Sequence, residues 1–228
     1  AQVMIRDMDD DLLDEYVLCN NRVFLCFENW GGRLIKAFVY DAALNGGDAL
    51  AVIGSPIANP SEEDEREQAD GSRCSALKDQ YTALATNAYV DLYYSASVVS
   101  NAILFSSEDG RISKRIALLA NRDAAVISYT IRPEIGTLYI HHGFGPGQMD
   151  LMLHGPAHLS RYHSATMAGL NNASGGGAFI VKGNNTSIQS GIPAGTGWNG
   201  RDRALTEIFE TYNSGGATQF AFGLAFSL

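Results

Sequence analysis

Between Arg111 and Pro133 the chain reads Arg-Ile-Ser-Lys-Arg-Ile-Ala-Leu-Leu-Ala-Asn-Arg-Asp-Ala-Ala-Val-Ile-Ser-Tyr-Thr-Ile-Arg-Pro, and no other stretch constrains the fold as tightly. Ile112, Ile116 and Leu118 alternate with Ser113, Arg115 and Ala117. Ile127, Tyr129 and Ile131 alternate with Val126, Ser128 and Thr130. A period of two belongs to a strand whose two sides face different surroundings. Asn121-Arg122-Asp123 supplies the polar turn between the two runs, so the segment is a predicted β-hairpin. Thr218 to Leu228 carries the same period more cleanly. Phe220, Phe222, Leu224, Phe226 and Leu228 share one side, and Ala221, Gly223 and Ala225 the other. Large residues on one side and small ones on the other predict a strand packed on both faces, with a close neighbour on the small side.

A second hairpin is predicted near the start. Val23-Phe24-Leu25-Cys26-Phe27 is apolar on both sides, Glu28 to Arg33 turns the chain around Gly31-Gly32, and Leu34 to Tyr40 returns. Further apolar stretches lie around Tyr89 to Tyr94, Asn101 to Phe105, Leu138 to His142, Ala178 to Lys182 and Glu207 to Tyr212. The chain has 24 Gly against 6 Pro and only 18% charged residues, which suits sheets and turns better than charged surface helices. At most short helices are expected, near residues 8–17, 61–68 and 147–153. No repeat and no linker divides the sequence. The expectation is one all-β domain over residues 1–228, an antiparallel β-sandwich with short helices in its loops.

Sixteen basic and 25 acidic side chains give a net charge of −9, the wrong sign for nucleic acid or an anionic membrane but compatible with neutral ligands such as sugars. Cys19, Cys26 and Cys74 match no zinc spacing, and no metal or cofactor is predicted. There is no Gly-x-Ser-x-Gly elbow, and Gly175-Gly176-Gly177 precedes a strand rather than a helix, so it is no phosphate cradle. The chain opens on Ala-Gln, which reads as the product of processing or as part of a longer protein and leaves the compartment open.

The succession of an early hairpin, Asn21-Arg22-Val23-Phe24 to Gly31-Gly32-Arg33-Leu34, then Ser113-Lys114-Arg115-Ile116-Ala117-Leu118 and Val126-Ile127-Ser128-Tyr129-Thr130-Ile131, resembles the galactose mutarotase-like super-sandwich. In particular it looks like the β-sandwich that follows the catalytic barrel in some family 57 glycoside hydrolases and related α-glucan enzymes. The resemblance spans roughly Cys19 to Leu153 and rests on strand patterns rather than catalytic signatures. It implies a non-catalytic accessory domain of an α-glucan-active or similar polysaccharide enzyme, extracellular if so. The implied partners are an oligosaccharide or polysaccharide and the catalytic domain of the same polypeptide.

Sugar recognition needs aromatic rings to stack on sugar faces and amides or charged groups to bond hydroxyls. Trp198, in Gly195-Thr196-Gly197-Trp198-Asn199-Gly200, has Asn199, Arg201 and Asp202 beside it, and Trp30 adjoins Gly31-Gly32. These five are the candidate carbohydrate-binding residues. The alternative is an epimerase or lyase built on the histidines, since His141, His142, His154, His158 and His163 all fall in one short region. His142 or His154 with Asp150 or Glu134 would be its acid–base pair. Adjacent residues on a strand point apart, so His141 and His142 are expected on opposite faces. A purely structural interaction domain is the third reading.

Overall fold

The computed structural model describes residues 1–8, 12–40, 49–53, 75–81, 89, 92–147, 150, 155–192 and 207–228. They form three antiparallel sheets. The first has five strands in chain order: β1 (Gln2–Arg6), β2 (Glu15–Cys19), β3 (Val23–Phe27), β4 (Leu34–Tyr40) and β5 (Ala49–Ile53). The second is a four-stranded sheet made of β6 (Lys78–Tyr81), β11 (Leu138–Phe144), β15 (Thr186–Ile192) and β16 (Glu207–Asn213), ordered β15-β16-β11-β6. The third has eight strands. They are β7 (Tyr94–Val99), β8 (Ala102–Ser107), β9 (Ile112–Leu118), β10 (Ala124–Ile131), β12 (Leu159–His163), β13 (Met167–Asn172), β14 (Gly177–Val181) and β17 (Gln219–Ser227), ordered β12-β13-β14-β17-β10-β9-β8-β7.

The two smaller sheets lie against one face of the large one. Tyr16 of β2 and Phe27 of β3 pack on Phe105 of β8, while β15 and β16 lie over β13 and β17. One apolar core joins all three, with Leu25, Phe27, Phe105, Ile116, Ile127, Phe144, Phe209 and Phe222 buried in it. The small sheets also meet each other, through paired backbone bonds between Leu34 and Ala76. This is the antiparallel β-sandwich that the period-two runs predict.

The hairpin of β9 and β10 pairs Ile112 with Ile131 and Ile127 with Ile116, and Asn121 takes a left-handed φ of 52° in its turn. Ile127, Tyr129 and Ile131 are buried as expected, and so are Phe220, Phe222, Leu224 and Phe226 of β17. Leu228 lies past the end of that strand and is exposed. Among the described residues, the small side of β17 faces no covering strand. It borders a shallow groove of about 370 Å³ with Val126 and Val181.

In the described part of residues 8–17 no helix forms. Leu12, Leu13, Tyr16 and Val17 have roughly helical spacing, yet Glu15 to Cys19 is a strand that pairs on both sides, with β1 and with β3. The burial of Val17 and Leu18 in the sheet decides the conformation over a weak local stripe. The expected helix at 61–68 lies outside the described residues, as does that at 147–153 apart from Gly147 and Asp150.

A charged group sits where the three sheets converge. Lys114, the residue of β9 between Ser113 and Arg115, points inward and is fully buried. Its Nζ donates to the carbonyl oxygen of Gly31 at 2.7 Å, to that of Leu77 at 2.9 Å and to Oδ2 of Asp79 at 2.9 Å. Asp79, also fully buried, accepts from the hydroxyls of Tyr94 at 2.8 Å and Tyr129 at 2.7 Å. Burial, and then the charge of Asp79, push both phenol pKa values well above 10.0, so both remain donors. Burial pulls Lys114 below its ordinary value while Asp79 opposes it. Gly32 is tied to this arrangement. Its φ is +53°, and a Cβ there would stand 2.8 Å from Cε of Lys114.

Removing one member of a buried ion pair strands the other charge, at a cost of roughly 3–5 kcal/mol. Asp79→Ala is expected to lower unfolding free energy in urea by about that amount. The double change Asp79→Leu with Lys114→Met should recover part of the loss, because no unpaired charge remains although the Tyr94 and Tyr129 hydroxyls lose their acceptor. A double variant as unstable as the single one would contradict this.

Candidate functional site

The four-stranded sheet has two unlike faces, set by alternation along each strand. Toward the core point Asp79 of β6, Ile140, His142 and Phe144 of β11, and Phe209 and Thr211 of β16, all buried. The other face carries two adjacent cross-strand rows. In the first, Ser187, Tyr212, Tyr139 and Gln80 stand opposite one another in register. In the second, Gln189, Glu210, His141 and Lys78 do so. Eight side chains of one sheet face thus comprise two phenol rings, two amides, a hydroxyl, an imidazole, a carboxylate and an ammonium. All are groups suited to stacking on sugars or bonding their hydroxyls.

The rows differ in exposure. Ser187, Tyr212, Tyr139 and Gln80 are half-buried, and Gln189 is exposed. Lys78, His141 and Glu210 are buried. The two tyrosine rings lie 5.3 Å apart, tilted by 32°. Nε2 of His141 is 2.8 Å from Oε2 of Glu210. A carboxylate only accepts, so Nε2 carries the proton. Nδ1 of His141 is buried and has no hydrogen-bond partner among the described residues. The pair therefore presents an imidazole oriented by Glu210, with its second ring nitrogen unpartnered among the described residues.

His142 behaves differently. Its Nε2 meets the hydroxyl of Thr211 at 3.1 Å, inside the core beside Phe144 and Phe222. Its neighbour His141 lies on the opposite face, as the strand period predicts. His142 is not joined to Asp150 or Glu134, so that acid–base pair does not form. Asp150 instead binds His158, whose Nδ1 is 2.9 Å from Oδ2, and accepts from the hydroxyl of Ser174 at 2.9 Å. Ser174 and Asp150 both address the same nitrogen of His158, at 3.5 and 2.9 Å. A relay from serine through the two ring nitrogens to the acid is thus absent. His154 lies outside the described residues. No three His, Cys, Asp or Glu side chains among the described residues converge on a point that could hold a metal.

Of the candidate sugar-binding residues, Trp198, Asn199, Arg201 and Asp202 lie outside the described residues, in the connection from β15 to β16. Trp30 is half-buried in the β3–β4 turn, edge-on to Tyr93 with centroids 5.8 Å apart. Its carbonyl accepts from Nε of Arg33 at 3.1 Å. Trp30 closes that turn onto the large sheet and does not belong to the two-row face. Sequence reasoning missed Tyr139, Tyr212, Glu210, Lys78 and Gln80. Each sits on a short strand, and only the pairing of β6, β11, β15 and β16 brings them together.

No family model and no curated protein sequence matches the chain. Solved structures do. The GalM/aldose epimerase homologue from C. elegans superposes with a TM-score of 0.53 at 10% identity, over 99% of each chain. The 4-alpha-glucanotransferase from Thermococcus litoralis gives 0.51 at 12% identity over the whole of this chain, which spans 39% of that enzyme. The periplasmic domain of Thermotoga maritima YidC gives 0.50 at 9% identity, over 100% of this chain and 86% of that one. At these identities the likeness is one of fold.

The buried His142 makes stability pH-dependent. Burial, reinforced by the charges of His141, Lys78 and Lys114, pushes its pKa well below 6.5. The unfolded chain then takes up a proton at a pH where the folded one does not, so stability declines as pH falls below 6.5. The urea midpoint is expected to drop between about pH 7 and 5, and His142→Leu should flatten that slope. An unchanged slope in the variant would exclude His142 as its source.

Proposed function

We propose that this chain is a carbohydrate-binding β-sandwich domain of a polysaccharide-active protein, and that sugar lies on the outward face of the four-stranded sheet. The observation that carries the reading is the cross-strand pair Tyr139–Tyr212, half-exposed and flanked by the buried row Glu210–His141–Lys78. Rings supply apolar contact, and Ser187, Gln80 and Gln189, the accessible polar groups of the face, supply directed bonds to hydroxyls. An ordinary cross-strand tyrosine pair would stabilise a sheet without a buried ammonium, imidazole and carboxylate beside it.

An α-glucan is the favoured ligand class. The resemblance in strand pattern points there, and the glucanotransferase shares the fold. This chain spans 39% of that enzyme and 99% of the C. elegans homologue, and the proposal takes the first form, an accessory role within a longer polypeptide. The β15–β16 connection adjoins the strands of the proposed site in sequence, so Trp198, Asn199, Arg201 and Asp202 are assigned to the same site. Trp30 is left out of it.

The expected result is retardation by soluble α-glucan in affinity electrophoresis. Tyr212→Ala and Trp198→Ala should each weaken it about tenfold, the effect of losing one stacking ring worth roughly 1.4 kcal/mol. Tyr162→Ala, on the large sheet, should bind as the parent does. Variants that stay folded and bind unchanged would remove those rings from the site.

A second reading has one specific observation behind it, the oriented His141 with an unpartnered Nδ1. Such a nitrogen could take the proton of an anomeric hydroxyl, as an aldose epimerase requires. The two readings separate in a polarimetric assay of anomer interconversion. Binding alone leaves the rate at its buffer value, whereas epimerase activity accelerates it and is lost in His141→Gln.

A further inference from the structure

We infer that the site takes a linear oligosaccharide of about three residues, lying across the strands, and not a single sugar. The inference rests on the carbohydrate reading above and adds the length and direction of the ligand. The open row, Ser187–Tyr212–Tyr139–Gln80, crosses all four strands of its sheet in unbroken register. Neighbouring strands are roughly 4.8 Å apart, so the row extends about 14 Å from β15 to β6. One strand spacing is close to the length of one pyranosyl residue in a linear glucan. Three spacings therefore match three residues.

The character of the row agrees with that placement. Its two rings stand in the middle, and its hydroxyl and amide stand at the ends. A chain laid along it rests its central part on the apolar Tyr212–Tyr139 ring pair and meets Ser187 and Gln80 at either end. The parallel row beside it is buried at Lys78, His141 and Glu210, so the accessible strip of the face is one residue row wide there. Gln189, at the β15 end of that row, is exposed. A narrow open row that crosses four strands in register is a track. A monosaccharide would use only one step of it and forgo the rest.

The test is a calorimetric series of glucose, maltose, maltotriose, maltotetraose and maltohexaose, with the equivalent β-1,4-glucan and β-1,4-mannan oligosaccharides as parallel series. In whichever series binds, affinity should rise by roughly tenfold per residue up to three and then level off. In the trisaccharide complex, Gln80→Ala and Ser187→Ala should each weaken binding severalfold, with circular dichroism confirming that both remain folded. Glucose binding as tightly as the trisaccharide would overturn the track and leave the carbohydrate reading standing. Affinity that keeps climbing to the hexasaccharide would also overturn it, in favour of a longer groove. No binding in any series would take down the carbohydrate reading together with this inference.

Discussion

The arrangement turns on one ammonium group. Lys114 has three donor hydrogens, and three oxygens receive them: Gly31 in a turn of the first sheet, and Leu77 and Asp79 at the start of β6. Its own strand belongs to the large sheet. A single buried side chain thus fastens three sheets at one point. An isolated charge there would be prohibitive to bury, so the surroundings are fixed in detail. Asp79 must face inward, Tyr94 and Tyr129 must supply hydroxyls, and Gly32 must lack a side chain for Cε of Lys114 to pass.

That constraint reaches the outer face of the small sheet through alternation alone. With Asp79 held inward, Lys78 and Gln80 face outward. β11 pairs with β6 in register, so His142 is inward and His141 outward, with Tyr139 on the same side. β16 extends the pattern and brings Glu210 and Tyr212 opposite them. The proposed sugar-binding face and the three-sheet junction are two sides of one sheet, and a shift of one residue in β6 would undo both.

Much of the fold was legible because period-two runs speak for themselves. The hairpins at Val23–Tyr40 and Ile112–Ile131 and the final strand needed no knowledge of their neighbours. The junction was harder to read. Lys114 occupies an inward position between Ile112 and Ile116, where a charged residue breaks the apolar pattern and looks like noise. Asp79, its partner, is 35 residues away in sequence, and nothing local links them. Around Tyr16 and Val17 a weak helical stripe gives way to pairing on both sides of Glu15–Cys19. At the site, the histidine cluster drew attention to His142 and Asp150, while the informative member was His141. Its partner Glu210 is 69 residues on and becomes visible only through strand order. Tyr139 and Tyr212 are unremarkable in sequence and acquire meaning as a register pair.

The central claim is that the outward face of the four-stranded sheet is where sugar sits. Backbone amide shifts recorded during titration of the intact chain with maltotriose test it most directly. The account predicts that the perturbed amides cluster on residues 78–80, 139–141, 187–189 and 210–212, with the β7–β8 end of the large sheet silent. Shifts confined to the large sheet or to the β3–β4 turn around Trp30, with the four-stranded sheet unmoved, would contradict it.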